Sequence, residues 1–344
     1  MSERIKISVA VITYNQESTI RQTLDSILMQ KGDFDLEIVI GEDCSKDSTH
    51  TICEDYALRP KELSNEGVND LQRIEVKLLP NTHNLGIMAN FARVIQACTG
   101  DYISNIAGDD YYSDDHALEK QMNYMSAHPK VGVMAANGYN YYVLRDEKVS
   151  GLNLTLEAEQ ETIKSYYFSP SHFEGACLAP VGMMYRAELL RKYIDFDEIL
   201  RRKLPVEDYP IQAILSQHTH FACLPDLLVT YRVYSTSASF ISYAHPRYLE
   251  YYKGLIETRR YLNELFPENA VAEEVLKERM FTKEFYYYVY NMRFDDAKRL
   301  VEFAPDEIKK SKIIKTAKRY TRSRLLFTAY HYYKRMSVMI NNHV

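Results

Sequence analysis

The chain has no tryptophan, although 29 of its 344 residues are tyrosine. Sugar clefts often use flat indole platforms, so any ring stacking here falls to Tyr or Phe. Cysteine is scarce and scattered (Cys44, Cys53, Cys98, Cys177, Cys223), with no CxxC pair and no zinc-type spacing. An odd count without a pattern predicts buried thiols in a reducing compartment rather than a disulfide frame. No GxGxxG follows the first strand pattern and no GxxxxGK[ST] occurs, so dinucleotide-fold and P-loop readings lose their anchors. No apolar run approaches the roughly 18 residues that span a bilayer. The opening residues run directly into a strand pattern, so we expect neither leader nor anchor, and a cytoplasmic protein.

Acid is missing from one place only. From Ile308 to Val344 there is no Asp or Glu but ten Lys or Arg, a charge of +10 that leaves −15 on residues 1–307. An acidic body with a basic tail suggests an anionic partner for the tail. Ile313, Ile314, Leu325, Leu326 and Phe327 interleave with the basic residues, as in an amphipathic helix lying on an anionic membrane surface. A solvated helix face is the alternative. No nucleic-acid recognition motif accompanies the charge, so we expect no nucleic acid partner.

What the chain does have is a run of strand and helix signals. Residues 5–12 form a β-branched, nearly continuous apolar stretch and 36–41 a second buried strand, followed by further strands at 74–79 and 102–107. Between them lie helical patterns at 18–31, with Ser18 available as N-cap, and at 86–98. Such alternation predicts an α/β fold with a mainly parallel sheet. Later patterns are a helix at 115–127, strands at 131–143, 176–185 and 221–234, and a helix from Asp208 to Gln217. Beyond Tyr248 only helical periodicity remains. We therefore expect a catalytic-type domain over 1–240 and a helical region over 241–344.

Ligands of parallel sheets bind at the carboxyl ends of the strands, and polar residues gather there: Thr13, Tyr14 and Asn15, then Glu42 and Asp43, then Asp109 and Asp110. Asp101, Asp114 and Asp115 flank the last pair. Adjacent carboxylates repel, and a divalent cation with hard-oxygen preference would relieve this; solvated turn aspartates capping a helix would look the same. Glu207-Asp208 forms a second pair at a helix start, either an ordinary cap or a general base. His172 and Glu174 precede a central strand where acceptor contacts could sit.

Taken together, these segments resemble family 2 glycosyltransferases, which have the GT-A fold. Ser8 through Asn15 resembles the family's opening strand and Thr-Tyr-Asn turn. Glu42-Asp43-Cys44-Ser45-Lys46-Asp47 resembles its Asp-Asp-Gly-Ser-x-Asp turn, with Cys44 in place of glycine. Asn84-Leu85-Gly86 to Asn90, then Gly100-Asp101-Tyr102-Ile103, resembles the helix and strand before the metal motif. Ala107-Gly108-Asp109-Asp110-Tyr111-Tyr112 is similar to the Glu-Gly-Asp-Asp-Tyr-Trp form of that motif in a bacterial subset, and Val206 to Pro210 to the segment carrying the base.

The resemblance implies an inverting, Mg²⁺- or Mn²⁺-dependent transfer from a nucleotide-sugar, a UDP-sugar above all, to a glycan or lipid-linked acceptor in surface polysaccharide synthesis. It implies donor contacts from Thr13, Tyr14, Asn15, Glu17, Asp43, Asn84, Gly86, Asn90 and Asp109. The metal would lie on Asp109 and Asp110, and Asp208 would be the catalytic base. Two departures stand out: Ala107 replaces the first acidic residue of the metal motif, and Tyr234 stands where a histidine often follows Tyr231-Arg232. An inactive nucleotide-sugar-binding protein of the same fold is the alternative they raise.

Overall fold

The computed structural model describes residues 4–58, 73–153, 156–157, 160–168, 178–234 and 242–341. The chain divides into two compact units, Met1–Tyr234 and Ser235–Val344.

The first unit is built on one mixed sheet. Strands β1 (Lys6–Thr13), β2 (Asp35–Glu42), β3 (Ile74–Pro80) and β4 (Tyr102–Ala107) come from the apolar runs, with helices α1 (Ile20–Leu28), α2 (Thr49–Leu58) and α3 (Ile87–Ala97) between them. Then follow β5 (Tyr111–Tyr112), α4 (Ala117–Ala127), β6 (Val131–Tyr142), β7 (Glu147–Ser150), β8 (Leu156–Glu157) and α5 (Gln160–Phe168). The unit closes with β9 (Met183–Arg186), α6 (Ala187–Tyr193), α7 (Phe196–Arg201), α8 (Asp208–Ser216) and β10 (His220–Val233). The sheet order is β3-β2-β1-β4-β9-β6-β10-β5, with β7 on β6 and β8 on β10.

The first four strands are parallel, and β10 is parallel to β6. The sheet is mainly parallel, as expected, with β9 antiparallel to both neighbours and dividing it into two parallel blocks. Within the described part of the predicted strand at 176–185, pairing starts only at Met183, after Gly182 at φ +65° turns the chain into the sheet; 176 and 177 lie outside the described residues. Residues 187–201, unassigned from sequence, form α6 and α7.

The chain moves outward from β1 to β2 to β3, then returns to the other side of β1 as β4. Strand order therefore reverses between β1 and β4, where a parallel sheet opens a crevice at its carboxyl ends. Ile7, Val9, Val11, Ile38, Ile40 and Ile106 fill the core beside it, all at most 1% exposed.

At the opposite edge the core admits one buried acid. Glu37 accepts from Lys77 Nζ at 2.6 Å, Lys6 Nζ at 3.2 Å, the Ser8 hydroxyl, and the Thr99 N–H at 2.7 Å and hydroxyl at 2.8 Å. Burial works against its charge, but these bonds, led by Lys77 and Ser8, bring its pKa down to about 2. Asp101 lies at this edge too, accepting the Lys6 N–H at 2.9 Å, so it does not belong with Asp109 and Asp110.

The second unit is helical: α9 (Tyr248–Leu265), α10 (Glu273–Tyr290), α11 (Phe294–Glu302), α12 (Lys312–Tyr320) and α13 (Arg324–Asn341). Its core joins Phe281, Phe285, Val289, Ala297, Ile314, Ala317 and Phe327. This corrects the expected amphipathic tail, because Ile313, Ile314 and Phe327 point into that core instead of outward. Tyr287 stacks on Tyr248 at 5.7 Å, a helix-packing role for the tyrosine-rich stretch.

Glu37→Ala should destabilise the chain by about 3–5 kcal/mol, the usual loss when one partner of a buried charged pair is removed. Because the folded pKa is depressed, the wild type should keep this stability above pH 4.5 and lose it as pH falls toward 2. Urea unfolding of both chains between pH 7 and pH 3 measures it. Superimposable curves at pH 7 would contradict the assignment.

Candidate active site

Three loops meet at the crevice between β1 and β4. The first leaves β1 at Thr13, whose hydroxyl donates to Gln16 Oε1 at 2.8 Å. Asn15 adopts φ +51°, in the left-handed region that Asn tolerates better than most residues. Its Oδ1 accepts from the Lys46 N–H at 2.8 Å, while its own N–H donates to the Ser45 hydroxyl at 3.0 Å. Glu17 accepts from the Ser48 N–H at 2.9 Å, and the Glu17 N–H donates to Asp47 at 3.1 Å. These bonds lace the loop after β1 to the loop after β2. Tyr14, 38% exposed, is left with its ring toward solvent.

In the second loop Cys44 sits at φ +58°, the region that favours glycine, as in the motif it resembles. Beside it Asp43 is buried. Its Oδ1 accepts from Asn81 Nδ2 at 2.8 Å and the Leu85 N–H at 2.7 Å, and its Oδ2 from the Gly86 N–H at 2.9 Å. A carboxylate has about four acceptor positions, so one remains on Oδ2. Asn84 Nδ2 donates to the Asp43 carbonyl at 3.3 Å, and Gly86 takes φ +84° to start α3. Asn90 is buried: its Nδ2 donates to the Gly41 carbonyl at 2.8 Å and its Oδ1 accepts from Asn81 at 3.1 Å. Asn90 thus orients the loop from below.

The third loop carries the acidic pair. A Cβ on Gly108 would lie 2.6 Å from both Gln16 Oε1 and Thr13 Oγ1, so only glycine fits there. From beneath, the Thr19 hydroxyl donates to the Gly108 carbonyl at 2.9 Å, and the Thr23 hydroxyl reaches the Asp110 carbonyl at 2.6 Å. This explains why α1 starts at Ile20 after Thr19 and not on a Ser18 cap: the threonine side chains hold the acidic turn instead.

Asp110 is buried, with Oδ1 accepting from the Arg232 N–H at 2.8 Å. Burial, then the neighbouring Asp109 charge, raises its pKa well above the usual carboxylate range. Asp109 is raised too, chiefly by burial, against the pull of Arg232 and Gln16. The Arg232 guanidinium donates to the Asp109 carbonyl and to Gln22 Oε1, and lies 4.8 Å over the Tyr111 ring. Asp114 and Asp115 pair instead with Lys120 and Lys31 and stand apart from the turn.

Among the described residues no group of three or more His, Cys, Asp or Glu side chains gathers to hold a metal. The donors near the crevice are hard carboxylate oxygens on Asp109 and Asp110, with one oxygen already taken. That set suits a cation such as Mg²⁺ or Mn²⁺ that keeps most of its ligands as phosphate oxygens and water.

Asp208 opens α8, and its Oδ1 accepts from the Tyr209 N–H at 2.7 Å. The helix ends at Ser216, shortly before β10 begins at His220. Gln212 fixes it, bonding both the N–H and the carbonyl of Leu178 at 3.0 Å. Glu207, just before Asp208, is pushed up to about 8 by burial and then by the Asp208 charge. His172 and Glu174 lie outside the described residues. His218 stacks flat on Tyr193 at 3.7 Å and serves packing.

Sequence reasoning missed Gln16, Thr19, Thr23 and Asn81, which aim the named residues, and noticed Arg232 only for the histidine absent after it. Their partners lie up to 210 residues away, and no local pattern reports such pairings.

Residues 8–194 match the family model of glycosyl transferase family 2. Over 127 residues the chain is 36% identical to the uncharacterized protein Rv1520 of Mycobacterium tuberculosis, covering 37% of this chain and 33% of that protein. The chain thus spans about a third of the length of that curated relative. S. aureus TarS in complex with UDP-GlcNAc superposes with a TM-score of 0.57 at 17% identity, over 95% of this chain and 90% of that one. Mannosyltransferase PcManGT from Pyrobaculum calidifontis, in complex with GDP-Man and Mn²⁺, gives 0.50 at 14% identity over 97% and 88%. At such identities the likeness shows the fold, a GT-A core followed by helices.

A raised carboxyl pKa stabilises the fold only while the proton is kept. Glu207 should therefore add no penalty at pH 5 and cost stability as pH rises through 8. Thermal unfolding of Glu207→Gln should match the wild type at pH 5 and exceed it by several degrees at pH 9. A constant difference across that range would remove the neutral carboxyl from the account.

Proposed function

The chain belongs to glycosyl transferase family 2, and from that premise we propose that it transfers a sugar from a nucleoside-diphosphate donor, with inversion, to a glycan or lipid-linked acceptor of surface polysaccharide synthesis. The observation that carries this is the acidic turn at the β1/β4 switch point. Gly108-Asp109-Asp110 is pinned by Thr19, Thr23 and Arg232, and its two carboxyls are both short of positive charge. TarS with its UDP-GlcNAc and PcManGT with its GDP-Man and Mn²⁺ share this fold.

In this reading Tyr14 stacks on the base and Thr13 and Asn15 frame base and ribose. The open acceptor position of Asp43 takes an N–H of the base; on uracil that is N3–H. Asn84, Gly86, Asn90 and Glu17 shape the walls. Asp109, with Asp110 behind it, would hold Mg²⁺ or Mn²⁺ against the diphosphate. When bound, the cation supplies Lewis-acid stabilisation of the leaving nucleotide. Asp208 accepts the proton of the attacking hydroxyl. Glu207 beside it has its pKa raised by burial and then by the Asp208 charge, since two adjacent carboxylates share charge poorly.

Release of nucleoside diphosphate, assayed across a panel of nucleotide-sugars with and without Mn²⁺, tests the reading. Asp109→Ala should keep less than a tenth of the rate. Asp208→Asn should lose about 10²–10⁴-fold in transfer, the range for general base catalysis, while holding donor affinity. Loss of nucleotide binding in Asp208→Asn would move that residue to the donor side. Nucleotide binding without turnover in the wild type would favour the inactive binder.

Placement on the inner face of a membrane belongs to the same proposal, through Leu325 and Leu326 but not through the buried Ile313, Ile314 and Phe327. On α13, Leu325, Leu326, Tyr332 and Tyr333 share one exposed face, with Leu325 81% exposed. Lys310, Lys312, Lys315, Lys318 and Arg322 are exposed and have no carboxylate partner among the described residues, whereas Lys309 and Arg324 pair with Asp306 and Asp295. Each free basic residue near anionic lipid is worth up to about 1 kcal/mol. Removing the tail would also remove Ile314 and Phe327 from the helical core, so surface changes make the cleaner test. The wild type should sediment with phosphatidylserine vesicles at low salt, and a chain with those five residues changed to Gln should not. Equal sedimentation would exclude the membrane role.

A further inference from the structure

The carboxyl edge carries a tyrosine wall that the donor and base assignments leave unused. In the register of β5, β10, β6 and β7, Tyr111 pairs with Thr230, Thr230 with Tyr139, Arg232 with Tyr141, and Tyr141 with Lys148. Paired residues of neighbouring strands project from the same face of a sheet. Tyr111, Tyr139, Tyr141, Arg232 and Lys148 therefore share one face. Tyr111 lies two residues beyond Asp109, and Arg232 joins the two by donating to the Asp109 carbonyl while stacking on the Tyr111 ring.

Lys148 stands at the centre of this face. Its ammonium lies 5.3 Å from the ring centre of Tyr111, 5.6 Å from Tyr141 and 5.9 Å from Tyr139. The side chain is exposed, and no carboxylate pairs with it among the described residues. The nearby acids are otherwise engaged: Asp146 accepts from the Tyr141 hydroxyl at 2.7 Å, and Glu147 faces Arg145 at 3.7 Å. Arg232 cannot serve an incoming anion in the same way, because it is buried and its guanidinium is spent on Asp109 and Gln22. The three rings are only partly buried. A packing role alone would cover them, whereas half-covered aromatic faces around an ammonium that bonds Tyr111 but no carboxylate among the described residues make a surface for a sugar ring with a negative substituent.

Resting on the transferase reading, we infer that Tyr111, Tyr139, Tyr141 and Lys148 form the acceptor subsite, and that it takes a sugar bearing an anionic group, a carboxylate or a phosphate. The rings supply the stacking surface that tryptophan supplies elsewhere. Lys148 supplies the charge-assisted bond that separates acidic from neutral sugars. The wall's position beside Asp109 puts a bound sugar next to the donor turn.

Ligand-detected NMR on the full chain, with methyl glucuronide, glucose 6-phosphate and methyl glucoside as probes at millimolar concentration, tests this. At least one acidic probe should bind about tenfold or more tightly than the neutral one, the scale of a bond to a charged group. Lys148→Ala should erase the preference, Lys148→Arg should restore most of it, and Tyr139→Ala should weaken all three probes. Circular dichroism melts of each variant verify folding. The two acidic probes also separate carboxylate from phosphate. Equal binding of acidic and neutral probes, or a preference that survives Lys148→Ala, overturns the subsite. Nucleotide binding by the wild type, measured separately, reports on the transferase reading, so failure of one is distinguishable from failure of the other.

Discussion

Arg232 joins the two halves of the sheet. Its N–H holds Asp110, its guanidinium holds the Asp109 carbonyl and Gln22 on α1, and its face lies on Tyr111. The acidic turn is thereby fixed between the first parallel block, which carries the loops of Thr13 and Asp43, and the second, which carries the tyrosine wall. On the α1 side the turn is held by the hydroxyls of Thr19 and Thr23, and the Gly108 N–H donates to the Ile12 carbonyl at 2.9 Å. A buried arginine is expensive to desolvate unless its donors are met, and here they are met by groups it must position.

The acids of the first unit sort by whether their charge is answered. Glu37 is wholly enclosed yet surrounded by two lysines and several hydroxyl and amide donors, so it is ionised at every ordinary pH and acts as structure. Asp109, Asp110 and Glu207 have burial without enough compensation and sit on the other side of the balance. Uncompensated carboxyls lower stability, and a fold keeps them where a cation or a moving proton supplies what is missing. Glu37 lies at the amino edge of the sheet, and Asp109 and Asp110 lie at its carboxyl edge. That separation points to the carboxyl edge as the reactive one.

Much of the fold is legible in the chain because β1 and β2 are rich in β-branched apolar residues, and the helices Ile20–Leu28 and Ile87–Ala97 keep a clear apolar stripe. Polar residues at strand ends are equally visible, which is why Thr13, Asp43 and Asp109 stand out and why the structure finds them around one crevice. Less legible is anything set by long-range pairing. Nothing local announces that β9 runs antiparallel, that Asp101 belongs to the far edge, or that Lys148 lies against Tyr111. The tail misled for a related reason: the alternation of Ile and Lys fits a membrane-facing helix and a helix packed on Phe281 and Phe285 equally well, and only the neighbours decide.

The central claim is that the crevice at the β1/β4 switch point is a nucleotide site. Thermal unfolding with UDP, GDP and their sugar conjugates, each with and without Mn²⁺, tests it most directly, since a ligand at a hundred times its Kd adds about 2.7 kcal/mol of stability. The account predicts that at least one nucleoside diphosphate raises the melting temperature, that Mn²⁺ enlarges the shift, and that Asp43→Ala abolishes it. No shift with any nucleotide at millimolar concentration, or a shift unchanged by Asp43→Ala, would contradict it.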